Sequence, residues 1–329
     1  MHVNGSVADN SEHVAPFGAP VGAFRHEALF YTGMEEFVAS TGDFIRAGIE
    51  AEQPVLVVVQ AHKIPLLEAE LGPEADRVLF ADMADVGSNP SRIIPAWHEF
   101  VDRCSDVQNG FRGIGEPVYP ERSSAELAEC RRHESLLNLA FAGGPPWWLL
   151  CPYDTDVLSP QVLDEARRTH PYAQAAGGVT VEADYEGLDR AAAPFDDPLP
   201  EPRGETSRLA FGSDDLAAVR RFVAHCGAGA GLSHERTDAL VVAVNEVATN
   251  SLRYGGGTGI LRVWGEDATL VCEVSDRGHI QDPLAGRFLP ADNRYGGRGL
   301  WMVNQLCDLV QMRNFRTGNV IRIHMHGAR

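Results

Sequence analysis

A glutamate and an asparagine four residues apart, Glu246 and Asn250 in NEVATN, lie where apolar Leu240, Val244, Val247 and Leu252 recur at helical spacing. Positions i and i+4 of a helix project from one face, one above the other. A carboxylate and a carboxamide so placed are, taken alone, more often a solvated surface pair than a site. Two later segments change the weighting. SDRG at 275–278 puts Asp276 at the end of an apolar strand, with Gly278 allowing close backbone approach. YGGRGLWMV at 295–303 puts Gly296, Gly297 and Gly299 at the start of a short helix. Free N–H groups and the dipole at such a helix start favour phosphate.

The elements that must position these residues form the back half of the chain. SRLAF reads as a strand, SDDLAAVRRFVAHCG as a helix with Ser213 as its N-cap, and about Ser233 to Tyr254 as a longer helix. TGILRVWGE and TLVCEVSD read as a hairpin turning at GED, followed by the short helix GLWMVNQLCD and the strands LVQMRN and NVIRIHMH. Together they predict an α+β sandwich.

In this order, NEVATN at 245–250, DRG at 276–278 and GGRGL at 296–300 resemble the nucleotide-binding boxes of the GHKL ATPases, in particular the anti-sigma-factor serine/threonine kinases. The resemblance covers residues 206–329. It implies that Asn250 coordinates Mg2+ bridging the phosphates of ATP and that Glu246 is the general base for an attacking serine hydroxyl. It further implies that Asp276 accepts the adenine amino group, and that Gly278 lets the base lie against the backbone. Gly297 and Gly299 shape a lid over the phosphates, and Arg298, with Arg294 or Arg287, supplies positive charge. The sequence departs from the family pattern at Tyr254, His279 and Asn319, where histidine, glycine and threonine are frequent.

The front half alternates apolar runs, VLVVVQ at 55–60, RVLFADM at 77–83 and WWLLCPYD at 147–154, with helical segments such as EEFVASTGDFIRAGIEAE. That pattern predicts a parallel α/β sheet covered on both faces. The segments HEALFYTGMEEFVASTGDFIRAGIEAEQPVLVVV, RRHESLLNLAF and LLCPYDTDVLSPQVLDEARRTHP resemble the MEDS sensory domain, a module RecA-like in outline. The expected organisation is a tail over 1–19, a MEDS-like domain over 20–180, a linker over 181–205 and a GHKL ATPase domain over 206–329. His26, Tyr31, Glu116, Tyr119, Tyr153 and Asp154 are candidate ligand-facing residues, each also readable as an ordinary core or surface polar group. His133 in RRHESLLN has the look of a phosphoacceptor, but a histidine beside arginines on an amphipathic helix is more often a surface or packing residue.

Charge separates the two halves. The 329 residues carry 28 Lys plus Arg against 46 Asp plus Glu, a formal net charge of −18. Residues 206–329 hold 14 Arg and 12 acidic residues, net +2, so residues 1–205 hold 14 basic and 34 acidic, net −20. Between Glu182 and Glu205 lie eight acidic and two basic residues, with prolines at 194, 198, 200 and 202, which reads as an extended linker. An acidic chain disfavours nucleic-acid binding as its dominant activity. Lys63 is the single lysine, in AHKIPLL without a glycine-rich run, which excludes a P-loop and a protein-kinase lysine and predicts a solvated helix-end charge. The six cysteines form no CxxC pair and the twelve histidines no HExxH, so no zinc spacing is visible. The apolar runs are too short to span a bilayer and the first residues lack a leader pattern, predicting a cytoplasmic protein.

The combined expectation is an anti-sigma regulatory protein acting in a stress response. It holds a sigma factor, and with ATP and Mg2+ it phosphorylates a STAS-type antagonist when an unknown small ligand acts on the front half, with a homodimer also allowed. The rival expectations are a nucleotide-gated binding module without transfer chemistry and a sensor histidine kinase using His133.

Overall fold

A computed structural model describes residues 23–175, 178–191, 196–289 and 298–327. Its front sheet is built from β1 (Arg25–Tyr31), β2 (Val55–Val59), β3 (Val78–Asp82), β4 (Arg112–Gly115), β5 (Trp148–Asp154), β6 (Tyr172–Ala175) and β7 (Gly178–Val181). The spatial order is β3-β2-β4-β5-β1-β6-β7. All pairings are parallel except β6 with β7. Side chains alternate across each strand, so β1 sends Leu29 and Tyr31 to one face and Ala28 and Phe30 to the other. The first face is covered by α1 (Gly33–Glu50) and α2 (Ile64–Leu71), through Phe37, Phe44, Ile45 and Leu67. The second is covered by α3 (Met83–Gly87), α4 (Ile93–Arg103), α5 (Ser124–Ala140) and α6 (Pro160–Thr169). Trp97 of α4 and Leu136 and Leu137 of α5 are fully buried there. A capping box fixes the start of α5, where Ser123 and Glu126 satisfy each other's backbone N–H groups.

The back sheet is antiparallel throughout. It comprises β8 (Ser207–Phe211), β9 (Gly259–Glu266), β10 (Thr269–Asp276), β11 (Leu309–Phe315) and β12 (Gly318–His326), in the order β11-β12-β10-β9-β8. Helices α7 (Leu216–Gly229), α8 (His234–Tyr254) and α9 (Arg298–Leu306) complete this half. Leu240, Val244 and Val247 of α8 are buried as the periodicity requires. The parallel front sheet and the antiparallel α+β back layer match the expected fold class. The expected N-cap Ser213 does not hold: the Asp215 carboxylate accepts the Gly212 N–H at 2.8 Å, which shapes a turn over 212–215 and delays the helix to Leu216.

The two halves are packed together. Asn89 and Arg92, at a 3-10 turn of the front half, donate to the carbonyls of Asn304, Gln305 and Cys307 at the C-terminal end of α9. Those carbonyls have no partner within their own helix, so the front half caps α9. Beside this cap, Glu129 of α5 pairs with Arg313 of β11 at 2.7 Å and accepts from Gln311 at 3.4 Å, while Arg132 donates to the Met312 carbonyl at 3.1 Å. Arg287, expected near the phosphates, is instead fully buried at this boundary, with Nη1 3.4 Å from the Pro90 carbonyl. Burial lowers its pKa to about 10. Three residues of the acidic segment after β7 bond to the back sheet: Arg322 donates to the Pro200 carbonyl, Arg262 pairs with Glu201, and Arg313 donates to the Asp197 carbonyl.

Lys63 is likewise not a solvated charge. It is buried, donates to the Tyr31 hydroxyl at 2.9 Å and forms an ion pair with Glu116. Desolvation pushes the Glu116 carboxyl up, and the Lys63 ammonium opposes that shift. Sequence position placed the lysine at a helix end but could not show that Glu116, 53 residues away, meets it there.

His324 on β12 gives the boundary a pH dependence. Burial, reinforced by Arg322 and His326, lowers its pKa from 6.5 to about 4, and its Nε2 lies 3.1 Å from Gln311 Oε1. The folded chain keeps the imidazole neutral where the unfolded chain binds a proton. Stability is therefore full above pH 6.5 and falls as pH drops toward 4, by roughly 3 kcal/mol from this residue. Thermal unfolding between pH 7 and 4 reads the slope, and His324→Gln is expected to reduce it.

Candidate functional site

Asp276 closes β10 opposite Asn319 of β12. Its Oδ1 accepts the Gly278 N–H at 2.7 Å and the Asn319 side-chain amide at 2.9 Å. Oδ2 makes no hydrogen bond among the described residues. Asn319 thus acts as a donor that fixes the carboxylate. Three glycines crowd the same point. A Cβ on Gly255, just past α8, would lie 2.3 Å from Asp276 Cγ, and one on Gly278 would lie 2.8 Å from the Tyr254 carbonyl. Gly278 is therefore required by its packing on the end of α8, before any base lies against it. The Arg277 N–H donates to the Gly255 carbonyl at 3.1 Å, tying β10 to the end of α8.

Gly318 is the third. Its φ is 147°, and a Cβ there would meet the Asp276 carbonyl at 1.8 Å. Gly318→Ala combines that clash with a backbone conformation costly to other residues. It is expected to destabilise by about 3 kcal/mol or more, read as a lowered midpoint in denaturant unfolding with the slope unchanged.

Glu246 and Asn250 stand half-buried on one face of α8. The first turn of α9 approaches them: a Cβ on Gly299 would lie 2.9 Å from Glu246 Oε2 and 3.6 Å from Asn250 Nδ2. A side chain at 299 would occupy the space in front of both polar groups. Arg298, exposed, begins the same helix. Gly296, Gly297 and Arg294 lie outside the described residues. Tyr254 is exposed, and His279 is exposed beside Gly278.

The arrangement gathers a carboxylate, a carboxamide and a helix N-terminus on one side of the sheet, with a held carboxylate at the strand end. A carboxamide oxygen is a suitable hard ligand for Mg2+, and the N–H groups that open α9 suit phosphate. A cavity of about 610 Å3 at the same end of the sheet is lined by Asp276, Arg277 and Asn319 together with Ile260, Ser275 and Val320, and by no residue of α8. Ile260, Ser275 and Val320 belong to the opposite sheet face, so this cavity is not the space between Glu246 and Gly299.

The six front-half candidates do not converge. Tyr31 and Glu116 join Lys63 on the α1 side, whereas His26 and Tyr153 are buried on the α5 side. Tyr119 is half-buried beneath Arg122, and Asp154 accepts the Asp156 N–H at 3.0 Å. His133 is buried, and burial lowers its pKa to about 3. A phosphoacceptor must be reached by a nucleotide phosphate, and this one is only 1% exposed. The groups that the sequence alone did not single out are Gly255 and Gly318, both needed to hold Asp276. The GGG run after α8 and the turn RTGN were the available signals.

No helix among the described residues is long and apolar enough to cross a membrane. The MEDS family profile (methanogen/methylotroph, DcmR sensory domain) matches residues 25–171, and the histidine kinase-like ATPase domain profile matches residues 210–325. No curated protein matches the chain. Among solved structures, one match is the crystal structure of the RsbU and RsbW domains of Rv1364c from Mycobacterium tuberculosis. It is 17% identical, with 37% of this chain and 33% of that chain covered at a TM-score of 0.29. The chain thus spans only 33% of that relative, and the likeness carries no argument about function. Residues 25–171 belong to the MEDS family and residues 210–325 to the histidine kinase-like ATPase family, joined in one chain.

Proposed function

We propose that the back domain binds ATP with Mg2+ and phosphorylates a serine or threonine on a partner protein, as an anti-sigma regulatory kinase whose front domain receives the signal. The observation that carries the reading is the meeting of Glu246 and Asn250 with the first turn of α9 at Gly299. Asp276 binds the adenine amino group through Oδ2, because Oδ1 is already taken by Gly278 and Asn319. A base presenting a carbonyl at that position is refused, since two acceptors face each other. Asn250 holds the metal ion that accompanies the nucleotide, which supplies positive charge at the phosphates. Arg298 and the N–H groups of α9 add to that charge in a half that has no lysine. Glu246 accepts the proton of the attacking hydroxyl.

In this reading the domain boundaries lie near 180 and 206. The partners are a sigma factor and a STAS-type antagonist, and the phosphorylation state of the antagonist decides which of them is held. The capping of α9 by Asn89 and Arg92 gives the front domain a direct hold on the helix that opens at the phosphates. Affinity capture of the full chain from its native host, read by mass spectrometry, tests the regulatory assignment. Recovery of a sigma factor or a small antagonist domain supports it, and recovery of neither under ATP and ADP alike contradicts it.

A further inference from the structure

Four side chains from four separate elements meet inside the front domain: His26 of β1, Glu134 of α5, Cys151 of β5 and His170 just after α6. All four are buried, and their candidate ligand atoms lie within 4.8 Å of one another. Glu134 Oε2 is 3.0 Å from His26 Nε2 and 3.4 Å from His170 Nε2, and Cys151 Sγ is 3.4 Å from His26 Nε2 and 3.7 Å from Glu134 Oε2. A tetrahedron with metal–nitrogen and metal–oxygen bonds of about 2.0–2.1 Å and a metal–sulfur bond of about 2.3 Å has edges of roughly 3.3–3.7 Å. The observed separations are close to those edges.

The hydrogen bonds behind the ring nitrogens point the same way. Asn138 gives its side-chain amide to the carbonyls of Glu134 and Thr169, which turns its Oδ1 to His26 Nδ1 at 3.2 Å. His170 Nδ1 faces the Ala166 carbonyl at 2.8 Å. A carbonyl oxygen only accepts, so both Nδ1 atoms carry a proton, and in a neutral ring it is then Nε2, the nitrogen turned toward Glu134, that offers the lone pair. Such partners behind a histidine are the usual way of orienting a metal ligand. Two imidazole lone pairs, a carboxylate and a thiol sulfur facing one another repel unless a proton or a metal ion lies between them. Glu134 Oε1 and His170 Nε2 are also without a hydrogen-bond partner among the described residues.

We propose that His26, Glu134, Cys151 and His170 bind one divalent transition-metal ion of the zinc class. Nitrogen, sulfur and carboxylate donors in four-fold array suit Zn2+, and a dipositive ion with one carboxylate and one thiolate sums to zero charge, which permits burial. Binding displaces the Cys151 thiol proton to solvent as the sulfur–metal bond forms. A narrow cleft between α5 and α6 reaches Glu134 and Tyr153. Helix α5 carries Glu134 at this cluster and Glu129 and Arg132 at the boundary with β11, so a bound metal and the ATPase sheet share one helix.

The test uses the full chain, freed of any affinity tag and stripped with a chelator under reducing conditions. Zn2+ titrated against a chromophoric competitor is expected to bind with one ion per chain. Co2+ in its place is expected to give a thiolate-to-cobalt charge-transfer band that vanishes in Cys151→Ser. Asn138→Ala, which touches no metal and leaves the four ligands, is expected to weaken Zn2+ binding by about 10–100-fold. Two results overturn the proposal: no uptake of either ion by the folded wild-type chain, or a cobalt spectrum that Cys151→Ser leaves unchanged. The first leaves a metal-free network of the same four side chains.

Discussion

Asp276→Asn is expected to lower ATP affinity by about 10–100-fold in calorimetric titration of the intact chain. The substitution keeps the shape of the side chain but changes what its atoms offer. Asp276 Oδ1 now accepts from both Gly278 and Asn319. An asparagine oxygen still accepts those two bonds, so the loop and β12 stay in place, while the atom left for the adenine becomes an NH2 group facing another NH2 group. The loss is therefore one of recognition, and far-UV circular dichroism and the unfolding midpoint are expected to change little. An unchanged affinity would remove Asp276 from the nucleotide site.

Glu246→Ala is expected to have the opposite profile. Phosphoryl transfer falls by about 10²–10⁴-fold, the contribution typical of a positioned general base, while ATP affinity stays within a few fold. The carboxylate lies against the start of α9 on the same helix face as Asn250, and it is not needed to hold either the strand end or the glycine turn. Single-turnover kinetics against equilibrium binding separates the two quantities. If the variant exchanges partners on ATP addition as the wild type does, and neither transfers phosphate, the chain is a nucleotide-gated binding module.

Much of the fold and part of the candidate site were legible in the residues. Helical spacing of Leu240, Val244 and Val247 was enough to place Glu246 and Asn250 together, because i, i+4 geometry is local. The uninterrupted apolar runs of β2 and β5 announced a parallel sheet for the same kind of reason. What stayed invisible depends on partners distant in the chain. Lys63 has the composition of a surface lysine and is buried only because Tyr31 and Glu116 receive it. Arg287 sits near the phosphate boxes in sequence, yet packing with the front half carries it to the Pro90 carbonyl. The His26–Glu134–Cys151–His170 cluster has no spacing signature at all, since each member comes from a different element and the pairing of β1 with β5 and the packing of α5 and α6 on the sheet assemble them. Even the cap of α7 was decided by a backward bond from Asp215 that favours a turn over an earlier helix start.

On the proposed function, the site formed by Glu246, Asn250, Asp276 and Gly299 transfers phosphate to a hydroxyl. The most direct measurement incubates the full chain with Mg2+, γ-labelled ATP and the antagonist captured with it, then follows the label through acid treatment. Acid-stable phosphoserine or phosphothreonine is expected on the antagonist, absent with Glu246→Ala. An ATP-bound chain that leaves every hydroxyl unlabelled, or that carries only acid-labile phosphate on His133, would contradict it.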